Sequence, residues 1–257
     1  MKPALVFPFV DPDGSMFPHL QTILPDLKEH FEKAFLTVPK STREEQLENV
    51  RFLERNGFFK LFFTEAEAPI GDHFAFLYRQ AASAAEPERI LHLCFLDRLS
   101  YALETEHRGC FLADVDALEK AYLPLIFQRS ESAWATHPRN YFELESFVTN
   151  IGQTLFGKAL DYGWCHFVIQ ARQLREIIPL VKRHDLSMVA EMILYVQEDV
   201  KTREVDWLAW EDPFILNRDP DELKRERENS LAETQKRLSY VLPMVEMLVK
   251  FSMNGKE

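Results

Sequence analysis

Apolar positions along this chain follow two periods that take turns. Residues 4–9 are a short β-forming run closed by the turn signal Asp11-Pro-Asp-Gly14. Phe17, Leu20, Ile23, Leu24, Leu27 and Phe31 then recur at helix spacing over residues 16–33. Residues 34–38 read as the next strand. Ser41-Thr-Arg-Glu44 is a capping box that opens a helix running to about Asn56, where Gly57 stops it. A third strand is expected at 58–63, an alanine-rich helix at 72–86 and a fourth strand at 90–96. Strands that alternate with helices in this way predict βαβ units and a mostly parallel sheet.

The second half is less regular. Residues 123–128 and 132–136 read as strand, 141–156 as an amphipathic helix and 167–170 as a short strand. Helices are expected at 171–184 and 187–197, with a late strand at 205–210. Asp219-Pro-Asp-Glu222 is a strong helix start, with Asp as N-cap and Pro at the first helical position. The apolar residues Leu223, Leu231, Leu238, Val241, Leu242, Val245 and Leu248 carry that tail helix onward, with a kink expected near Pro243. Its charged first half, from Lys224 to Lys236, reads as a solvated face. The tail either packs on its own domain or pairs two copies as a homodimer, and its heptad phase is not sustained. The expected architecture is α/β: a mostly parallel mixed sheet flanked by helices over 1–216, then a helical extension over 217–257.

Composition narrows the function. The 41 acids exceed 30 bases and give a formal charge of -11, which disfavours a broad nucleic-acid surface. Cys94, Cys110 and Cys165 stand far apart with no Cys-x-x-Cys, as expected for thiols in a reducing compartment. No signal peptide and no run near the ~18 residues of a membrane span is legible, so a cytoplasmic location is expected. Glycine is scarce, eight in all, with neither a Gly-x-Gly-x-x-Gly nor a P-loop pattern. Any diphosphate must therefore be held by side chains or a metal. Zinc, esterase and kinase motifs are also lacking in the sequence.

Five places carry candidate chemistry. The apolar run 89–96 breaks at Asp97-Arg98, which puts a carboxylate and a guanidinium at the carboxyl end of a central strand, where open α/β sheets bind ligands. Asp97 can equally cap the helix that begins behind it. Ile126 to Arg139 gathers Arg129, Trp134, Thr136, His137 and Arg139 ahead of a helix whose first turns hold Glu143 and Glu145, with Asn150 on the face of Glu143. That segment suits an anion, or simply caps the helix. Trp164 and His166, after Asp161 and Gly163, can line a pocket or fill the core. Glu191, an acid among apolar residues, is a candidate general base if buried. Trp207 and Trp210 alternate with acids, as in a sugar-stacking wall or an ordinary sheet edge.

These residues resemble the nucleotide-diphosphosugar transferase fold, that of GT-A-like (Rossmann-like) bacterial glycosyltransferases. The likeness begins at Leu5-Val-Phe-Pro8-Phe-Val-Asp11 and continues at His92-Leu-Cys-Phe-Leu-Asp97-Arg98. Ala135-Thr136-His137-Pro138 follows, with Glu143, Glu145, Asn150, Gly157 and Asp161 in order, and then Asp206-Trp-Leu-Ala-Trp210-Glu211. It spans roughly residues 3–216. The resemblance implies a nucleotide-sugar donor beside the central strands and a small-molecule or glycan acceptor near the later helices. It also implies an Asp-x-Asp holding Mg²⁺ or Mn²⁺; here the matching place reads Leu96-Asp97-Arg98, so Asp97 is the one candidate metal ligand and the second acid is missing. On this reading Asp97 and Arg98 orient ribose and diphosphate, and Arg98, with Arg129 or Arg139, takes over the metal's electrostatic role. Thr136, His137 and Arg139 lie by the leaving group, Asn150 and Asp161 bind substrate, Glu191 deprotonates the acceptor, and Trp207 and Trp210 flank it. The alternative is a catalytically silent α/β scaffold or interaction protein that keeps the fold.

Overall fold

The computed structural model describes residues 1–65 and 68–254. A seven-stranded sheet runs through the molecule in the order β3-β2-β1-β4-β6-β5-β7. The strands are β1 (Ala4–Pro8), β2 (Ala34–Pro39), β3 (Phe59–Thr64), β4 (Ile90–Leu93), β5 (Leu125–Arg129), β6 (His166–Gln170) and β7 (Lys201–Val205). All run parallel except β6, which lies antiparallel between β4 and β5. The sheet is thus mostly parallel, and the carboxyl ends of β1, β2, β3, β4, β5 and β7 share one edge.

Strand alternation divides the core into two layers. Ala4 and Val6 of β1 face one side, with Leu91, Ile126, Phe167 and Ile169. That side is covered by α4 (Ile70–Ala84), α8 (Arg139–Phe156), α9 (Ala171–Ile177), α10 (Ser187–Val196) and the long final helix α13 (Leu231–Asn254). Leu5 and Phe7 face the other side, under α1 (Phe17–His30), α3 (Leu47–Arg55), α5 (Leu96–Glu104) and α6 (Arg108–Ala117). The remaining helices are short: α2 (Lys40–Glu45), α7 (Glu131–Thr136), α11 (Asp212–Ile215) and α12 (Pro220–Asn229). Gly152 lets α8 approach closely, because a Cβ there would sit 2.1 Å from the Tyr162 ring.

Several elements depart from the sequence expectation for local reasons. The fourth strand ends at Leu93 and α5 opens at Leu96, so Asp97 lies in a first helical turn. Residues 132–136 form helix, not strand: Ser130 accepts the Ala133 N–H at 3.1 Å, and Asp206 accepts from both Ser130 and Ser132. The late strand is β7, upstream of 205–210, and Asp206–Leu208 is a single 3-10 turn. The helix over 41–56 is broken at Gln46, and the one over 171–184 ends at Ile177 before a 3-10 turn with Pro179. The tail is two helices separated at Ser230; Asp219 accepts the Glu222 N–H at 2.8 Å as expected of its N-cap.

One feature of the core links it to pH. His92 Nε2 and His166 Nδ1 stand 2.8 Å apart with both rings fully buried, beside Phe111 and Trp207. Burial pulls His92 from an ordinary value of 6.5 down to about 3. Burial, with His92 and the Arg98 and Arg129 charges, pulls His166 well below its ordinary value. Unfolded chains protonate both rings near the ordinary value while the folded core keeps them neutral. Stability present above pH 6.5 is therefore lost as pH falls toward 3. We expect unfolding free energy to drop by about 1.4 kcal/mol per pH unit for each such proton. Urea titrations across this range should show a shallower fall in a His92→Leu/His166→Met variant, and equal slopes would contradict the assignment.

Candidate functional site

The carboxyl edge opens into a cavity of about 830 Å³. Pro8, Pro39 and Thr64 reach it from the ends of β1, β2 and β3, and Phe95 to Arg98 from the start of α5. Arg129 ends β5, Gly163 to Cys165 precede β6, and Glu211 and Asp212 lead into α11. The opposite wall is α13, through Glu233, Lys236, Arg237, Tyr240, Val241 and Met244. Spacings of three and four residues put these side chains on one helical face.

Charge in this cavity is high and paired. Arg98 is buried and forms an ion pair with the buried Glu211. Arg129, also buried, donates from Nη1 to Glu145 Oε2 and to Asp161 Oδ2, both at 3.1 Å, and from Nη2 to Cys165 Sγ at 3.2 Å. Its guanidinium stacks 4.4 Å from the Trp134 ring centre. Glu145 uses its other oxygen for Arg237 Nη1 at 3.1 Å, and Arg237 lies 3.7 Å over Tyr141. The Tyr141 hydroxyl donates to Glu233 at 2.7 Å, and Glu233 also pairs with Arg227. Asp212 is the less committed acid, 3.9 Å from Arg227 and partly exposed.

These neighbours set protonation. Burial pushes the Asp161 carboxyl up; Arg129 opposes that rise and Glu145 reinforces it. Burial works against charge on Arg129, yet the thiol and the two carboxylates around it hold its pKa above the ordinary arginine value. Burial raises the Cys165 thiol, which suits a core residue better than a nucleophile.

The other sequence candidates distribute as follows. Asp97 lines the cavity, but its Oδ1 accepts the neighbouring Arg98 N–H at 2.8 Å. His137, Arg139, Asn150 and Asp161 line a second cavity, which shares Arg129 with the first. Asn150 and Arg139 are exposed, and Arg139 pairs with Glu143 at 2.6 Å. Thr136 Oγ1 accepts the Trp210 N–H at 2.8 Å and donates to the Ala133 carbonyl, so it ties α7 to the 3-10 turn. Trp207 and Trp210 are corrected to core residues: both are buried, and Trp207 Nε1 donates to Asp114 at 2.8 Å. Glu191 is buried but lines neither cavity; its Oε2 accepts the N–H groups of Lys182 and Arg183 at 2.9 and 3.0 Å. That use of the carboxylate removes it from an acceptor's reach. Glu233 and Lys236 fall in the stretch expected to be a solvated face, and Asp212 and Arg237 were given no role by the sequence. Of the inward face of α13, the apolar spacing in the sequence marked Val241 alone.

Among the described residues no three His, Cys, Asp or Glu side chains come together as a metal site. In sequence Asp97 is followed by Arg98 and Leu99, so no Asp-x-Asp pair is formed there.

No family model matches the chain, and no curated protein matches it. Solved structures do. The 4-diphosphocytidyl-2C-methyl-D-erythritol synthase from Anaerococcus prevotii superposes with a TM-score of 0.51 at 12% identity, over 87% of this chain and 99% of that one. Glucosyl-3-phosphoglycerate synthase from Mycobacterium tuberculosis, in complex with Mn²⁺, uridine diphosphate and phosphoglyceric acid, gives 0.52 at 9% identity, over 95% and 78%. The same enzyme with uridine diphosphate gives 0.51 at 9%. The fold is GT-A-like. At these identities the likeness concerns architecture, and no helix among the described residues is long and apolar enough to cross a membrane.

The Arg98–Glu211 pair is open to a direct check. Arg98→Met leaves a buried carboxylate without its partner and should cost about 3–5 kcal/mol. An Arg98→Met/Glu211→Leu double variant should recover most of that loss in urea unfolding. A single variant that costs no more than a surface substitution would contradict the pairing.

Proposed function

We propose that this chain is a glycosyltransferase that takes a nucleotide-diphosphosugar into the carboxyl-edge cavity. The observation that carries the reading is convergence: Asp97, Arg98, Arg129, Glu211 and Asp212, from distant stretches of chain, line one open cavity. Ligands of open α/β sheets bind at this edge. The solved structures of similar fold that hold uridine diphosphate support the same class of ligand.

The nucleoside lies over the small and apolar tips Pro8, Val10, Pro39 and Ser41, with its diphosphate toward Arg98. Lys236, which also lines the cavity, supplies a second cation near the leaving group. In the reaction the bond from the anomeric carbon to the diphosphate oxygen breaks, and a bond to an acceptor oxygen forms. Asp212, the partly exposed acid of the cavity, takes the acceptor proton, a role the sequence had suggested for Glu191. Charge released on the diphosphate is met by Arg98 and Lys236 in place of a metal.

The second reading is a silent scaffold of the same fold, and one observation favours it. Arg98, Arg129 and Arg237 each already hold a carboxylate, so an anionic ligand must compete with Glu211, Glu145 and Asp161. Calorimetry against uridine-, guanosine- and cytidine-diphosphosugars separates the two. We expect binding by at least one donor, weakened about tenfold by Lys236→Ala. Asp212→Asn should keep donor binding and lower transfer or donor hydrolysis by about 100-fold or more. Absence of heat with every donor at roughly millimolar concentration, a limit near -4 kcal/mol, would establish the scaffold reading instead.

A further inference from the structure

The second cavity, of about 730 Å³, adjoins the first at Arg129, which lines both. Three of its lining residues carry a buried polar atom with no protein partner: Gln128 Oε1, Arg129 Nε and His137 Nε2. Such atoms are uncommon in folded proteins and call for a partner.

The chemistry of His137 defines what kind of partner. Its Nδ1 lies 2.9 Å from the Ala133 carbonyl, which only accepts, so Nδ1 carries the proton. Burial and the Arg129 and Arg98 charges keep the ring neutral, well below the ordinary histidine pKa. Nε2 is then a bare acceptor. Gln128 Oε1 is a second acceptor and Arg129 Nε a donor, so a complementary ligand must both donate and accept hydrogen bonds. A hydroxyl does both.

Charge and surface point the same way. Arg129 is held by Asp161, Arg139 by Glu143, and Lys224 Nζ sits 2.7 Å from the Ala135 carbonyl. Two of the three cations are thus neutralised by carboxylates, and Glu131, Glu204 and Glu228 also line the cavity, a balance that disfavours an anion. Trp134 and Phe142, in edge contact at 5.4 Å, supply apolar surface beside these polar groups. Aromatic rings with interspersed hydrogen-bonding groups match a ring whose faces are C–H and whose rim is hydroxyl.

We propose that this second cavity is a binding site for a neutral polyhydroxylated ligand, a pyranoside, separate from the nucleotide-sugar cavity. It does not rest on glycosyl transfer in the first cavity. The pyranoside sits against Trp134 and Phe142, with hydroxyls donated to His137 Nε2 and Gln128 Oε1 and one accepting from Arg129 Nε.

The test uses the full chain and methyl glucoside, mannoside and galactoside, with inorganic phosphate as the anionic comparison. Nitrogen-15 spectra of the histidine rings report on Nε2 directly. We expect at least one glycoside to shift the His137 Nε2 resonance saturably at concentrations on the order of 10 mM, as for a weak sugar site. Ser146→Phe, which fills the cavity from α8, should abolish the shift with its melting temperature unchanged. His137→Phe should weaken binding about tenfold, measured by saturation transfer to the glycoside. The proposal is overturned if no glycoside shifts the resonance, if phosphate does so in their place, or if both variants bind as the parent does. Uridine diphosphate titrated in parallel reports the first cavity, so failure there with glycoside binding intact removes the transferase reading and leaves this site standing.

Discussion

Arg129 enters the interior at the end of β5, and a guanidinium can be buried there only because carboxylates meet it. Glu145 comes from α8 and Asp161 from the loop ahead of β6. Glu145 then passes the constraint to Arg237 on the final helix, which the sequence treats as an appendage. Three otherwise separate parts of the chain are thus fixed to the carboxyl edge of the sheet by one chain of ion pairs. Replacing a single member strands another charge in a low-dielectric interior, so the whole network must form together.

That network shapes both cavities. Arg129 lines both and stands between them, while Arg98 and Glu211 form a second buried pair along the same edge. A polar wall built of paired charges keeps its shape without ligand, which favours a preformed site over one assembled on binding. It also sets the condition on any anionic ligand, which must take up guanidinium N–H groups that the carboxylates leave free. Each guanidinium has five N–H donors, so a carboxylate on one edge leaves others for a phosphate.

Much of the architecture was legible because the first half of the chain obeys simple periods. Buried strands such as β1 and β2 read as continuous apolar runs, and the helices between them carry one apolar stripe. Periodicity is lost where burial and polarity part company. β7 reads Lys-Thr-Arg-Glu-Val with four exposed residues, as suits a charged sheet edge, and offers no alternation to detect. The α13 face bearing Lys236 and Arg237 looks solvated because inward positions are assumed apolar, but Glu145 and Tyr141 meet that face with polar groups. Trp207 and Trp210 looked like a wall because exposure cannot be told from an aromatic–acid alternation. Glu191 was rightly marked as an acid in apolar company; its partners, two backbone N–H groups, leave no signal in side-chain patterns. Asp97 and Arg98 stood out because an apolar run ends at them, but that run outlasts the strand, which stops at Leu93, and carries on into the first turn of α5.

Crystals of the full chain soaked with uridine diphosphate and manganese test the central claim most directly. The account predicts the diphosphate in the carboxyl-edge cavity, hydrogen-bonded to Arg98 and near Lys236, with no pair of protein carboxylates on a manganese ion. Nucleotide bound away from that edge, or manganese held by Asp97 together with a second protein carboxylate, would contradict it.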